Sequence, residues 1–184
     1  MSLIVASRSK SRESLQKRYG EDTVILDLTS RGQPPWLRFS PFYPHGDIPV
    51  PFSPGQFSMT VEGIWQGLKV FESADVDKSK LTITSMKGIK RTSQTYGKVL
   101  GHRAGLTGNE LLSYAQARRL IYLPSYRWVL DNRVQDLLDE LKRQVAENTV
   151  VLLDYQTNCD LDDLSSPLSH AGLVKRYLEG DWPQ

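Results

Sequence analysis

The sequence predicts an α+β fold in a single domain over residues 1–184, mainly helical with a small mixed β-sheet. Three observations carry that expectation. The chain opens as strand, helix, strand; a second buried-strand run, Val150 to Leu153, lies far downstream; and between and after them apolar residues recur at helical spacing. A hydrophobic share of 39% and a charged share of 24% in 184 residues suit one soluble core.

Taken in order, Leu3 to Ala6 reads as a short buried strand, Ser9 to Tyr19 as a polar helix stopped by Gly20, and Thr23 to Leu28 as a second strand. The turn Ser7-Arg8-Ser9 lacks the glycines of a dinucleotide fingerprint. Between Arg31 and Gly55 stand Pro34, Pro35, Pro41, Pro44, Pro49 and Pro51, which exclude regular helix. Trp36, Phe39, Phe42, Tyr43 and Phe52 favour an ordered aromatic loop there over a linker. Ser58 or Thr60 then caps a helix running through Lys69.

Further along, Lys87, Lys90 and Arg91 predict a basic face on a short helix leading to Tyr96 and Gly97. Thr107-x-x-Glu110 reads as a capping box ahead of Leu111, Leu112 and Ala115. Asp131 or Asn132 opens an amphipathic helix whose inner face is Val134, Leu137, Leu138, Leu141 and Val145. Val150 to Leu153 is the late strand, and Ser166-Pro167 opens a last helix with Leu173, Val174, Tyr177 and Leu178 inward.

Composition excludes several classes. A net charge of +2 is too small for duplex DNA binding by mass electrostatics. The single cysteine, Cys159, excludes an internal disulfide and a cysteine-rich zinc site, and His45, His102 and His170 show no metal-ligand spacing. The opening apolar run, Leu3 to Ala6, is too short for a signal peptide or a membrane span, so a cytoplasmic protein is expected, with no membrane partner.

The densest chemical signal is Thr60-Val61-Glu62-Gly63-Ile64-Trp65-Gln66-Gly67-Leu68-Lys69. Val61, Ile64, Trp65, Leu68 and Phe71 make an apolar stripe, while Glu62, Gln66 and Lys69 make a polar one beside it. Spacing alone fits both a solvated face and a pocket wall. Gly63 and Gly67 each cost a helix about 1 kcal/mol relative to alanine, so a close approach by a backbone or a ligand is expected at both.

Together with Phe39-Ser40-Pro41-Phe42-Tyr43-Pro44, this helix resembles the NADAR or YbiA-like N-glycosidases. Members of that family read Ser-Asn-Phe-Tyr-Pro and Ser-x-Glu-His-x-Tyr-Gln-x-x-Lys, and the likeness extends loosely from Trp36 to Leu153, with Lys87 to Arg91 similar to the family's Ala-Lys-x-x-Gly segment. Gly63 stands where the family carries histidine, and Pro167 to Gly172 replaces its glycine-rich tail. Residues 1–30 form a β-α-β extension to a core over 31–184.

The resemblance implies a YbiA-like fold and hydrolysis of the bond between ribose C1 and a base or amine nitrogen. The substrate is then a small phosphoribosyl or ADP-ribosyl conjugate, free or carried on a nucleic-acid base, and no cofactor or metal is implied. Glu62 is the candidate carboxylate, with Asp154 and Asp160 as further catalytic candidates beyond the late strand. Tyr43, Trp65, Gln66, Lys69, Lys87, Lys90, Arg91, Asn158 and His170 are the candidate substrate-binding residues. Each has an ordinary alternative: core packing for Trp65, a solvated face for the basic trio, turn chemistry for Asp154, Asn158 and Asp160, and a satisfied imidazole for His170. A binding module that recognises nucleotide or ADP-ribose without cleaving it is the competing reading.

Overall fold

A computed structural model describes residues 2–183, and its class is α+β. In chain order the elements are β1 (Leu3–Ser7), α1 (Arg12–Tyr19), β2 (Val24–Asp27), β3 (Ile48–Pro49), β4 (Phe57–Ser58), α2 (Val61–Leu68), β5 (Lys69–Phe71), α3 (Ser93–Tyr96), β6 (Val99–Arg103), β7 (Leu111–Leu112), α4 (Tyr114–Ala117), α5 (Leu123–Asn132), α6 (Gln135–Glu147), β8 (Val150–Asp154) and α7 (His170–Leu178). Tight 3₁₀ turns occupy Trp36–Phe39 and Lys78–Thr82, and Arg118–Tyr122 is π-helical. The contacts divide the chain into two compact units, one running to Ser40 and resuming at Val134, the other Pro41–Arg133. These bounds differ from the expected boundary at residue 30.

In the first unit the sheet is wholly parallel, in the order β1-β8-β2. Leu3 and Val24 both stand opposite Val150, on its two sides. The opening β-α-β is therefore no appendage, because both its strands need β8 between them. The continuous apolar run of β8 fits a central parallel strand covered on both faces, and Val150, Val151 and Leu152 are buried. Ser11 caps α1, and α7 packs on β1 and β8. In α6, Leu137, Leu138 and Leu141 turn inward as their spacing predicts.

In the second unit both sheets are antiparallel, β3-β4 and β5-β6-β7. The small sheets are thus separately parallel or antiparallel, and no single mixed sheet forms among the described residues. At the middle lies α2, which packs on the Lys78–Thr82 turn, the π-helical turn, α5 and β6. The Pro-rich loop is fastened to it: the Glu62 amide donates to the Pro41 carbonyl at 2.9 Å, and Gly46 N–H to the Met59 carbonyl at 3.1 Å.

Three local expectations are corrected. Lys87 to Arg91 is irregular, with Met86 and Gly88 at positive φ, and the helix begins only at Ser93. Thr107-x-x-Glu110 caps nothing; Leu111–Leu112 is a strand paired with His102 and Arg103, and the capping box belongs to Ser113 and Gln116 shortly after it. Asp131 and Asn132 end α5 instead of opening α6, whose N-cap position is Val134. The π-helical turn precedes Pro124, whose ring cannot sit against the carbonyl four residues back. The helix widens, and Leu123 N–H reaches the Arg118 carbonyl.

Candidate functional site

Thr60 starts α2 by accepting the Gly63 N–H on its hydroxyl at 2.7 Å. The glycines serve backbone approach. A Cβ on Gly63 would stand 2.6 Å from the Lys80 carbonyl oxygen, and one on Gly67 would stand 3.2 Å from that of Asp77. With the turn this close, α2 is buried on nearly every side, and Trp65 is its one part-exposed residue, followed by Lys69 in β5. The expected polar stripe therefore splits. Glu62 and Gln66 face inward at 8% and 4% exposure, and Lys69 alone reaches the surface.

Inside, a fixed relay orients the carboxylate. Gln66 Nε2 donates to Glu62 Oε1 at 2.7 Å, and Gln66 Oε1 accepts the Arg91 amide at 3.0 Å. The Arg91 guanidinium donates to the carbonyls of Gln66, Lys69 and Asp75 and lies over the Phe71 and Tyr96 rings. It thereby caps the carbonyl end of α2. Arg91 is only 6% exposed, so it leaves the expected basic face and works as a structural clamp. Lys87 is exposed in a bend, and Lys90 is exposed with its ammonium 5.5 Å over the Phe42 ring. Tyr43 packs on His45 with ring centroids 4.8 Å apart.

Trp65 is not core packing of the ordinary kind. Its indole covers the imidazole of His102 at 3.9 Å and meets Tyr114 and Tyr122 edge-on at 6.0 and 5.7 Å. The buried Arg118 guanidinium donates to the Tyr114 hydroxyl at 3.0 Å and lies over that ring. His102 stands directly opposite Lys69 in the β5-β6 ladder, which puts the two side chains on one face of the sheet. Sequence reading gave no role to His102, Tyr114, Arg118 or Tyr122. Tyr114 and Arg118 were legible as an i, i+4 pair; the pairing of His102 with Lys69 had no local signal.

Electrostatics single out the same pair. Burial pushes the Lys69 ammonium below its usual range, the positive charges of Arg91 and Lys90 push it further, and Glu62 opposes the shift. Burial, followed by the Lys69 charge, lowers His102 to about 3, so its ring is neutral. The Trp65 backbone near that ring favours protonation but does not meet hydrogen-bond geometry, and neither ring nitrogen has a partner among the described residues.

The other candidates belong to the first unit and are engaged in holding it together. Asp154, at the end of β8, accepts on Oδ2 from the Ser169 hydroxyl at 2.8 Å, the Ala171 amide at 3.2 Å and His170 Nδ1 at 3.0 Å. His170 Nε2 meets the Leu28 carbonyl at 2.9 Å. A carbonyl and a carboxylate both accept, so both ring nitrogens carry hydrogen and the ring is an imidazolium. Burial disfavours that charge, but Asp154 and the Leu28 carbonyl outweigh it and raise His170 above its ordinary value. This ring has no nitrogen left to protonate a leaving group. Asn158 donates its amide to the carbonyls of Asp163 and Ser166 and accepts the Asp160 N–H, while Asp160 accepts that of Asp162. Turn chemistry accounts for both. Glu62 belongs to the second unit, and Asp154 and Asp160 belong to the first.

Among the described residues no group of three or more His, Cys, Asp or Glu side chains is placed to hold a metal ion, and no helix is long and apolar enough to cross a membrane. Residues 7–174 match the model of a family described as "Family of unknown function (DUF6939)", and the chain belongs to that family. No curated protein and no solved structure matches it.

Proposed function

We propose that this member of the DUF6939 family is a cytoplasmic N-glycosidase with a divergent YbiA-like core. Its substrate is a phosphorylated ribose conjugate or an ADP-ribosylated guanine-type compound, and it cleaves the bond from ribose C1 to the base or amine nitrogen. The observation that carries the reading is Glu62, a carboxylate locked in one orientation by Gln66, which Arg91 in turn fixes. Pre-set orientation of the charged group is what an oxocarbenium-like transition state rewards.

As the C1–N bond breaks, its electron pair leaves with the nitrogen and positive charge grows on the ribose ring. Glu62 opposes that charge and takes a proton from the water whose oxygen bonds to C1; the departing nitrogen takes its proton from solvent. Lys69 and Glu62 attract one another, which places a positive charge near the carboxylate. Trp65 and Tyr43 offer aromatic faces to a base, and the exposed Lys90 offers charge to a phosphate.

The deep position of Glu62, 8% exposed, favours a second reading, recognition of the same ligands without cleavage. Incubation with ADP-ribosylated guanine nucleotides and with phosphoribosylamino-pyrimidines, followed by chromatography of the released base, separates the two. Release by the wild type that drops about 10²-fold or more in a folded Glu62→Gln variant supports hydrolysis. Full activity in that variant sinks it, and saturable binding without release establishes the binding module.

A further inference from the structure

We propose that Lys69 and His102 form an oxyanion seat for a phosphate group and that Trp65 is its movable cover. The inference rests on the proposed function only for what the phosphate is attached to; the seat itself follows from groups that lack acceptors. His102 is 1% exposed, and both its ring nitrogens lie buried with no hydrogen-bond partner among the described residues. Leaving such a group unsatisfied forfeits its hydration with nothing in return, and a phenylalanine or leucine at this position would avoid the cost. Directly across the ladder, Lys69 makes no side-chain hydrogen bond or ion pair among the described residues, although it is largely withdrawn from water.

Both side chains share one face of the sheet, and both are donors in want of an acceptor: an ammonium with three hydrogens and a neutral ring with one N–H. Local charge selects the acceptor. Lys69, Lys90 and Arg91 bear on this point against the single carboxylate of Glu62, a surplus that suits a dianion of the phosphate class better than a neutral carbonyl. An oxyanion between Lys69 and His102 satisfies the ammonium and the imidazole N–H together.

The cover is Trp65. Its ring lies on the imidazole at 3.9 Å, with Lys69 Nζ 6.0 Å from the indole centroid, and it is the one residue of α2 that reaches solvent. Rotation of that side chain uncovers the imidazole beside the ammonium without disturbing the buried Glu62–Gln66 relay.

The probes are inorganic phosphate and pyrophosphate, titrated at constant ionic strength against sodium chloride. In the wild type, calorimetry shows saturable binding, and the ring nitrogens of ¹⁵N-labelled His102 shift in NMR spectra. Tryptophan fluorescence changes on binding, and Trp65→Phe abolishes that change. His102→Phe weakens binding about tenfold or more, His102→Gln restores part of it, and Lys69→Met removes it. Glu62→Gln removes the one opposing carboxylate and binds phosphate at least as tightly as the wild type, so a failure of hydrolysis leaves the seat standing. The proposal is overturned by wild type that binds neither probe, by His102 resonances that ignore them, or by a His102→Phe variant that binds as tightly as wild type. The NMR measurement uses unaltered protein, so it decides the question even where a variant does not fold.

Discussion

At Lys69 the proposed phosphate seat and the stability of the fold pull in opposite directions. An ammonium largely removed from water, with no acceptor in contact among the described residues and its affinity for a proton lowered by burial, is a net liability to the fold. Lys69→Met is therefore expected to raise stability by about 1 kcal/mol, measured as a higher urea midpoint with an unchanged slope, while it removes phosphate binding. A lysine serving only as a solvated surface charge would show neither effect. This residue and Glu62 were legible in the sequence because they sit on one short stretch whose helical period can be read directly. His102 was not. Its meaning depends on pairing with a residue on another strand, across a register that shifts between Val70 and Phe71, and nothing local to His102 encodes that.

Among the elements, α2 offers the sharpest test of packing. Its glycines were recognised as costly, and the structure assigns the cost to the 3₁₀ turn pressed against them, which is backbone and cannot step aside as a long side chain would. Gly63→Ala, with its Cβ 2.6 Å from the Lys80 carbonyl oxygen, should destabilise by about 2–3 kcal/mol. Gly67→Ala, at 3.2 Å from the nearest atom, should cost clearly less because helix propensity returns part of the loss. Equal midpoints for the two variants in thermal or urea unfolding would refute this account. The helix after β7 shows why some boundaries misread. Thr107 and Glu110 carry the same pattern as Ser113 and Gln116, but Leu111 and Leu112 are drawn into a strand by pairing with β6, so tertiary contact decides which signal is used. The segment Lys87 to Arg91 misreads for a related reason: Arg91 turns inward to cap α2, and a continuous basic helix face cannot form around it.

For the whole molecule, the buried His170–Asp154 pair sets an expected dependence of stability on pH. His170 is raised above 6.5, so its contribution is complete below that value and is lost as pH climbs through the raised one. Burial works against the Asp154 charge, but His170, Ser169 and Ala171 together hold its carboxyl below 3.8, so its contribution is present above that value and is lost as pH falls through the lowered one. Urea midpoints should be highest between these limits and decline on the alkaline side. His170→Gln should lose about 3 kcal/mol at pH 6, and the gap to wild type should narrow as pH climbs through the raised value. A gap that stays constant with pH would show that the ring is not charged in the folded protein. Removing residues 1–30 gives a second test. It strips both neighbours from β8, and the amides of Val150, Val151 and Leu152 should pass from slow to fast hydrogen exchange. The sequence revealed each of these strands, yet it could not reveal that the last of them lies between the first two.

That strand order has a consequence for biosynthesis. The ribosome makes β1 and β2 by Asp27, but they do not pair with each other, and the strand that joins them appears only from Val150. Every nascent chain thus carries two apolar strands with open edges while more than a hundred further residues, including the entire Pro41–Arg133 unit, are translated. Pauses in translation between these points prolong that exposure, and binding of the nascent β1–β2 segment by a chaperone is the natural protection during it.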